Sequence, residues 1–325
     1  MEHVLSFQSH VSYGYVGNRA ATLPLNLLGF EVTAVHSTAL STHLGYGRQY
    51  VKGSKNSAEA LEQIVEGLEA AGVFYDHQLV LSGFLPDASC VKAVGETVQK
   101  LLSESKTDQA RYTIYLLDPV MGDDGQYYLP EDIRPAFQSI LHLAHIITPN
   151  QFEAEELTGL KIKDVKSLQE CLDKLHEQVQ NIVISSINLG EKGQLTTVVS
   201  SKEDDAIYLL SYPLQSAKFN GAGDLLSALI LAYYQKCQIS DHSPPRLVQA
   251  TFRALQTMTL VLRRTLDAAR ETSTEHQDSS CIISKKYELR LVQSIDSILD
   301  TRTFDHSDLR DDHITVQKIA RGPTI

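Results

Sequence analysis

The sequence lacks long apolar runs and has a deficit of basic residues. In its 325 residues no apolar run approaches the roughly 18 residues that cross a membrane. The opening residues, MEHVLSFQSH, have neither the basic start nor the apolar stretch of a signal peptide. The chain carries 29 lysines and arginines against 40 aspartates and glutamates, a net charge of −11 at pH 7. We therefore expect no binding to membranes and no nonspecific binding to nucleic acids, because both need a basic face.

Cysteine is scarce as well, and its spacing excludes a metal or redox motif. The four cysteines are at least 44 residues apart, at Cys90, Cys171, Cys237 and Cys281. No CxxC pair exists, and no cluster of His, Cys and Asp has the spacing of a zinc site. We expect buried free thiols in a reducing cytosol, and hence a cytoplasmic protein with the nucleus as a second location. For His10 and His43, in the N-terminal loops, we expect loop or hydrogen-bonding roles.

Hydrophobic residues, 42% of the chain, follow two alternating patterns. Short apolar runs predict strands at Val4–Phe7, Val32–Val35, Leu79–Leu81, Thr113–Leu117, Ile146–Ile147 and Ile182–Ile184. Helical stripes lie between them, at Leu61, Ile64, Val65 and Leu68, at Val91, Val94, Val98, Leu101 and Leu102, and at Leu168, Leu172 and Leu175. This order predicts an α/β fold with a mostly parallel central sheet and helices on both faces.

The pattern changes after Leu189. The predicted elements are then a hairpin of Gln194–Val199 and Ala206–Leu210, and two long helices at Asp224–Lys236 and Arg246–Arg270. The most polar stretch, Glu271–Ser280, predicts a surface loop. No internal repeat and no linker rich in proline or glycine divides the chain. We therefore expect a single domain over residues 1–300, with a charged, loosely held tail over 301–325.

Four unusual segments lie where an open parallel sheet binds its ligands, beyond the carboxyl ends of strands. They are FQSHVSYGYVGN (7–18), LLDPVMGDDG (116–125), IITPNQFEAEEL (146–157) and FNGAGDLLSALI (219–230). Because they occur together on one predicted sheet, we interpret them as parts of one site. Tyr127 and Tyr128 follow the second segment, where they either close over a ligand or are ordinary surface tyrosines.

The segment NGAGD combines small residues with an acid at the start of an apolar helix. Gly221, Ala222 and Gly223 let the backbone approach a ligand closely, and the amides of a helix N-terminus are free to bind an anion. Such a turn suits a transferring phosphoryl group, and Asp224 could take a proton from an attacking hydroxyl. The alternative is an ordinary glycine turn with Asp224 as N-cap. No GK[ST] follows, so the turn is not a nucleotide P-loop.

Two further segments place carboxylates at strand ends. Asp118 and Asp123 flank a turn that contains a proline, and they either hold Mg²⁺ against phosphate oxygens or merely form the turn. Asn150 and Glu153 fit a nucleotide site, and they equally fit a helix capping box. In the nucleotide site Glu153 would orient metal-bound water, while Thr148 and Asn150 would face the nucleotide.

Together these motifs resemble the ribokinase-like (PfkB) superfamily and, within it, the pyridoxal kinase family. The matching segments are FQSHVSYGYVGNRAA (Phe7–Ala21), THLGY (Thr42–Tyr46), LDPVMGD (Leu117–Asp123), YYLPED (Tyr127–Asp132), ITPNQFEAE (Ile147–Glu155), NGAGD (Asn220–Asp224) and ELRLVQS (Glu288–Ser294). The resemblance covers nearly the whole chain. It implies a ribokinase-like fold, a cytosolic homodimer, and ATP-dependent phosphorylation of the 5′-hydroxymethyl group of pyridoxal, pyridoxine and pyridoxamine.

The resemblance also implies a role for each matching residue. The catalytic residues would be the base Asp224 and the anion hole Gly221, Ala222 and Gly223. The substrate would meet Ser9 on the pyridine ring and also His43, Leu44, Phe84, Tyr128 and Asp224. ATP would be bound by Asp118, Thr148, Asn150, Glu153, Ser185, Ser186 and Ala222. The metal residues would be Asp123 and Glu153 for Mg²⁺, with Asp118 and Thr148 for a monovalent cation, K⁺ or Na⁺.

Three positions depart from the family's pattern. Leu44 stands where relatives often have Thr or Pro, Phe84 replaces a common Tyr, and Ala222 replaces a frequent Thr. The first two remove polar contacts to the ring, so we expect loose discrimination among the vitamers. Two rival functions stay open at this point, a hydroxymethylpyrimidine kinase of the same superfamily and a non-catalytic vitamin-binding regulator on this fold.

Overall fold

Strands and helices alternate through the chain. The structure, a computed structural model, describes residues 2–107, 112–189, 193–237, 244–271, 280–300, 309, 311 and 313–321. The strands are β1 (Glu2–Val11), β2 (Phe30–Leu40), β3 (Gly53–Lys55), β4 (His77–Ser82), β5 (Ile114–Leu117), β6 (Gly122–Asp123), β7 (Gln126–Tyr127), β8 (Ile146–Ile147), β9 (Asn181–Ile187), β10 (Gln194–Ser201), β11 (Ala206–Pro213) and β12 (Thr315–Ala320). The helices are α1 (Asn18–Leu27), α2 (Ala58–Ala70), α3 (Ala88–Thr107), α4 (Ile133–Ile140), α5 (Gln151–Thr158), α6 (Val165–His176), α7 (Ala222–Lys236), α8 (Arg246–Glu271), α9 (Ser280–Lys286) and α10 (Ile295–Leu299).

A ten-stranded sheet organises the described residues, in the order β12–β11–β10–β9–β8–β5–β4–β1–β2–β3. The six central strands from β9 to β2 pair in parallel. The strands β10, β11 and β12 at one side and β3 at the other are antiparallel. A separate small hairpin is formed by β6 and β7. The predicted α/β fold with a mostly parallel sheet is therefore confirmed.

Both faces of the sheet are covered by helices. Successive residues of β1 point to opposite faces, so Val4 joins the apolar cluster under α1, α7 and α8, while Leu5 joins the cluster under α2, α3 and α6. Two of the three helical stripes are buried as predicted, except that Leu102 at the end of the α3 stripe is half-buried. The stripe on α2 is partly wrong: Leu61 and Val65 are buried, but Ile64 is 41% exposed.

The predicted strands, the hairpin β10–β11 and the two long helices all exist, mostly with longer bounds than predicted. The elements that the sequence prediction did not name are the helices α1 and α4 and the short or polar elements β3, the hairpin β6–β7, α9, α10 and β12. The prediction of a loosely held tail is wrong for Thr315–Ala320, because this segment pairs with β11 as the edge strand of the sheet. Residues 272–279 of the predicted loop lie outside the described residues.

The cysteines are free thiols, three of them buried. Burial raises the pKa of Cys90 to about 12 and that of Cys171 to about 11, so neither is a ready nucleophile. Cys281 corrects the expectation of full burial, because it is only partly covered. A search of the described ranges finds no helix that is both long and apolar enough to span a membrane.

Candidate active site

A cavity of about 930 Å³ opens beyond the carboxyl ends of the parallel strands. Every site residue predicted from the sequence lines it: Ser9, His43, Leu44, Phe84, Asp118, Asp123, Tyr128, Thr148, Asn150, Glu153, Ser185, Ser186, Gly221, Ala222, Gly223 and Asp224. These residues come from the ends of β1, β2, β4, β5, β8 and β9 and from the start of α7. The fold therefore brings all four polar segments into one site, as their positions at strand ends predicted.

Helix α7 begins at the cavity with uncapped amides. Its N-cap is Gly221, which has φ 83° and carries no side-chain cap. A Cβ atom at Gly221 would lie 1.9 Å from the carbonyl oxygen of Tyr15, so no other residue fits this turn. Asp224 lies in the first turn of the helix and not at the N-cap, which excludes the ordinary capping alternative. The free N–H groups at this end of α7 can bind an anion.

The carboxylate of Asp224 is half-buried next to these amides. Burial raises its pKa, while the nearby backbone N–H of Gly17 and then the ring of His43 act in the opposite direction. Gly17 has φ 53°, and a Cβ atom there would lie 2.2 Å from the carbonyl oxygen of Ser9. Asp224 is therefore an acid whose pKa is closer to neutral than usual, as a general base needs.

A hydroxyl of α7 connects two of the predicted cofactor residues. The Ser227 hydroxyl donates to Oδ2 of Asp118 at 2.9 Å, and its oxygen lies 2.9 Å from the hydroxyl of Thr148. Burial, and then the charges of Glu153 and Asp224, raise the pKa of Asp118 well above its ordinary value. Buried carboxylates whose pKa values are raised in this way indicate a site that a cation would stabilise.

Glu153 forms the capping box that the sequence left as an alternative, and it also lines the cavity. Its Oε2 accepts from the N–H of Asn150 at 2.9 Å, and the Asn150 side chain accepts from the N–H of Glu153 at 2.9 Å. Its Oε1 accepts from Met121 at 2.9 Å and from Gly122 at 3.4 Å. Burial nevertheless raises the pKa of Glu153 to about 8, and Asp123 acts in the same direction.

The acidic side of the cavity fits Mg²⁺ as a cofactor shared with phosphates. Asp118, Asp123 and Glu153 offer the hard oxygen ligands that Mg²⁺ prefers. In the part of the chain that the structure describes, no three His, Cys, Asp or Glu side chains are grouped closely enough to hold a metal alone. Mg²⁺ usually binds through one or two carboxylates together with water and substrate phosphates.

The other side of the cavity is apolar and aromatic. Leu44 lines the cavity and is 41% exposed. Phe84 also lines the cavity, and its backbone carbonyl oxygen accepts a hydrogen bond from the hydroxyl of Ser37 at 2.6 Å. Both ring nitrogens of His43 are occupied within the protein: Nδ1 accepts from the N–H of Gly45 at 3.2 Å, and Nε2 lies 3.1 Å from Glu288. His43 can therefore offer a ligand its ring, but not a free nitrogen.

Tyr127 and Tyr128, in the segment of residues 123–129 that we call the flap, have different surroundings. Tyr128 lines the cavity, and burial followed by the charge of Asp123 raises its pKa. The hydroxyl of Tyr127 instead donates to Glu156 at 2.6 Å, and its ring packs edge-on against Phe152. Of the two alternatives for these tyrosines, the position of Tyr127 therefore does not favour closure over a ligand in the cavity.

Two basic side chains, Lys161 and Lys218, are found among the described residues that line the cavity. Lys161 pairs with Glu155 at 2.7 Å. Lys218 precedes α7 and pairs with Asp124 in the β6–β7 turn, where Asp124 has φ 50°. This ion pair joins the flap to the loop that leads into the anion hole.

Sequence reasoning missed three residues of the site. The sequence gives only one hint at Ser227: it is a polar residue in an apolar helix, three positions after Asp224. Gly17 was visible as part of FQSHVSYGYVGN, but not as a neighbour of Asp224 whose N–H lowers the pKa of that carboxyl. Glu288 lies in the matching segment ELRLVQS, 245 residues from His43, and local patterns do not reveal contacts over such separations.

Comparisons with known proteins agree with this geometry. A family model described as phosphomethylpyrimidine kinase matches residues 37–250. Pyridoxal kinases from Arabidopsis thaliana and Homo sapiens are each 36% identical to the chain, over 302 and 314 residues. These matches cover 91% of this chain and 90% and 95% of the two relatives. The chain belongs to the pyridoxal kinase family. A pyridoxal kinase from Leishmania donovani in complex with ADP and pyridoxamine has a TM-score of 0.82 and 30% identity, covering 98% of this chain and all of that one.

Membership in the pyridoxal kinase family makes the protein a kinase with a ribokinase-like α/β fold. The matches extend over most of the chain, as the resemblance of its motifs predicted.

Proposed function

We propose that this kinase transfers the γ-phosphoryl group of ATP to the 5′-hydroxymethyl group of pyridoxal, pyridoxine and pyridoxamine. The observation that carries the proposal is the position of Asp224, in the first turn of α7 beside uncapped amides and facing the cavity. The named relatives are pyridoxal kinases, and the similar L. donovani structure contains ADP and pyridoxamine. These names support the same substrates for this chain.

In the proposed reaction Asp224 accepts the proton of the substrate hydroxyl. The hydroxyl oxygen then forms a bond to the γ-phosphorus, the bond from that phosphorus to the bridging β–γ oxygen breaks, and ADP leaves. The amides of Ala222 and Gly223 face the negative charge of the transferring group. The protein contributes little covalent chemistry, so positioning and electrostatic stabilisation account for the rate acceleration.

ATP would lie along the acidic side of the cavity. We assign its binding to Asp118, Thr148, Asn150, Glu153, Ser185, Ser186 and Ala222. Asp123 and Glu153 would hold Mg²⁺, which neutralises phosphate charge when it is bound. Without such a cation, a chain with net charge −11 and several carboxylates in its cavity would repel ATP. Asp118 and Thr148, bridged by Ser227, stay our assignment for a monovalent cation.

The vitamer would lie on the apolar side, with Ser9 against its pyridine ring and Leu44, Phe84 and His43 around it. Leu44 and Phe84 offer no hydrogen bond to ring substituents, and both His43 nitrogens are occupied. A pocket with few polar contacts discriminates weakly among analogues that differ in one polar group. We therefore expect loose discrimination among the three vitamers. The homodimer and the cytoplasmic location also stay predictions.

The flap would exclude water during transfer. Residues 123–129 carry Tyr128 and Asp124, and the Asp124–Lys218 pair holds this segment beside the anion hole. Exclusion of water prevents the loss of ATP by hydrolysis.

The test is ADP formation with pyridoxal, pyridoxine, pyridoxamine, hydroxymethylpyrimidine and ribose in parallel. We expect the three pyridines to give the highest kcat/KM, within about tenfold of one another because each lost polar contact is worth roughly 1.4 kcal/mol or less here. A higher kcat/KM for hydroxymethylpyrimidine or ribose would contradict the proposed substrate. Vitamer binding without any ADP formation would instead indicate a non-catalytic vitamin-binding regulator.

A further inference from the structure

Glu288 is a buried carboxylate that contacts two loops at the edge of the cavity. Its Oε1 accepts from the backbone N–H of Tyr15 at 2.6 Å, in the loop after β1. Its Oε2 accepts from the hydroxyl of Tyr46 at 2.9 Å and lies 3.1 Å from Nε2 of His43, both in the segment after β2. Burial alone would raise its pKa, but these hydrogen bonds lower it below the ordinary value. Glu288 is thus an ionised acceptor for three donors.

The hydrogen bonds fix the tautomer of His43. Because the N–H of Gly45 donates to Nδ1, this nitrogen carries no proton. Nε2 therefore carries the proton and donates it to Glu288. The Glu288 carboxylate and the Gly45 amide together therefore fix the orientation and the tautomer of a ring that lines the cavity.

Both loops are in close contact with Asn220–Gly221, the turn that leads into the anion hole. The carbonyl oxygen of Tyr15 is so close to Gly221 that a Cβ atom there would lie 1.9 Å from it. A Cβ atom at Gly45 would lie 2.5 Å from Nδ2 of Asn220. Two residues beyond Tyr15, the N–H of Gly17 lies near enough to Asp224 to lower the pKa of this carboxyl. Loops that Glu288 holds are therefore in contact with both the anion hole and the proposed base.

We propose that Glu288 is a positioning residue: it ties the loops after β1 and β2 together, so that Tyr15 and Gly45 hold the Asn220–Gly221 turn and the N–H of Gly17 stays beside Asp224. Glu288 does not line the cavity and touches no reacting atom. The kinetic part of this inference rests on the proposed function, since it takes Asp224 as the base. The structural part does not, because it concerns contacts within the protein.

Loss of the Glu288 carboxylate should change the protonation of Asp224. The groups that face Asp224 are the Gly17 amide, His43 and Asp118, and those that face Glu288 are Tyr15, His43 and Tyr46. When Gly17 moves away, the ionised form of Asp224 loses a donor. The acidic limb of the kcat–pH profile should then move to higher pH.

The test compares wild type with Glu288→Gln, Glu288→Asp and Tyr46→Phe. In Glu288→Gln, the side-chain NH₂ group faces at least one of the three donors. Glu288→Asp keeps the negative charge, but its side chain is too short to reach both loops. We expect kcat to fall about 10- to 100-fold in both, the range for small misplacements of catalytic groups. The Kd for ADP and the KM for ATP should stay near wild type, because the hydrogen bonds of Glu288 go to Tyr15, His43 and Tyr46 and not to the residues that we assign to ATP. Tyr46→Phe removes one donor and keeps Tyr15 and His43 bound, so it should retain kcat.

A second readout does not depend on activity. The proton of an amide beside a carboxylate resonates downfield, so the Gly17 amide resonance should move upfield in Glu288→Gln and in Asp224→Asn, and stay in place in Tyr46→Phe. Wild-type activity without any kcat or Gly17 change in Glu288→Gln would overturn the inference, as would an Nδ1–H tautomer of His43 in the wild type. Equal losses of kcat and ADP affinity would show a general structural role and overturn it too. If wild type phosphorylates no vitamer, the proposed function fails, and the Gly17 resonance alone decides the role of Glu288.

Discussion

Ser227 donates a hydrogen bond of 2.9 Å to Oδ2 of Asp118, one turn along α7 from the proposed base Asp224. The helix that supplies the anion hole thus also holds a carboxylate on the cofactor side of the cavity. The same hydroxyl oxygen reaches Thr148 on the loop after β8. The start of α7 therefore connects the two halves of the site, the acceptor side and the nucleotide side.

The first prediction concerns this hydroxyl. Ser227→Ala should raise the KM for ATP, because Asp118 loses its donor and its pKa rises further. The free energy of unfolding should fall by about 1 kcal/mol, the usual contribution of one hydrogen bond. Thr251→Val is the matched control, since the Thr251 hydroxyl is also buried but bonds only to Leu247 O within α8. An equal change of the KM for ATP in the two variants would contradict the role of Ser227.

The second prediction concerns Mg²⁺. Asp123→Asn and Glu153→Gln should raise the Mg²⁺ concentration that gives half the maximal rate, with little change in the KM for pyridoxal, because both carboxylates lie on the acidic side of the cavity. Glu156→Gln serves as control, because Glu156 is on the same helix as Glu153 but bonds to Tyr127 and Arg134 outside the cavity. If the Mg²⁺ titration is unchanged in both site variants, these residues do not hold the metal.

The third prediction concerns stability in acid. His176 is buried in α6, with Nδ1 bonded to Val179 O and Nε2 near the Ser200 hydroxyl and the Arg321 guanidinium. Burial lowers its pKa to about 4. The unfolded chain takes up this proton near pH 6.5, so stability that is present above that pH is lost as the pH falls toward 4, by roughly 2–3 kcal/mol.

Denaturant unfolding between pH 4 and pH 7 measures this effect. His176→Gln should show a clearly flatter dependence of the unfolding free energy on pH than wild type. The exposed residue His142 provides the control, and His142→Gln should keep the wild-type dependence. Parallel curves for wild type and His176→Gln would show that His176 does not cause the acid sensitivity.

Much of the fold was predictable because the sheet imposes simple patterns on the sequence. Strands buried on both faces are apolar at successive positions, as in Leu79–Leu81. This pattern can be recognised in the sequence without knowledge of tertiary contacts. The edge strand at Thr315–Ala320 has no such signal, because it is largely exposed and is held by pairing with β11. The β6–β7 hairpin has strands of two residues, too short for any periodicity.

The candidate site was predictable where function demands special residues at strand ends, as at Gly221 and Asp224. The capping alternative for Asn150 and Glu153 was also right, since the capping box exists within the cavity. What the sequence could not reveal are contacts between distant segments, such as Glu288 with His43 and Tyr15. It also could not reveal that Tyr127 faces Glu156 rather than a ligand.

The turnover number of Asp224→Asn tests the central claim most directly. Asparagine keeps the size of the side chain but cannot accept the proton of the substrate hydroxyl at neutral pH. We predict that kcat with pyridoxal falls by about 10²- to 10⁴-fold, the usual contribution of a general base, while ADP binds as in wild type. A kcat close to that of wild type, with ADP affinity intact, would contradict Asp224 as the catalytic base and with it this account of phosphoryl transfer.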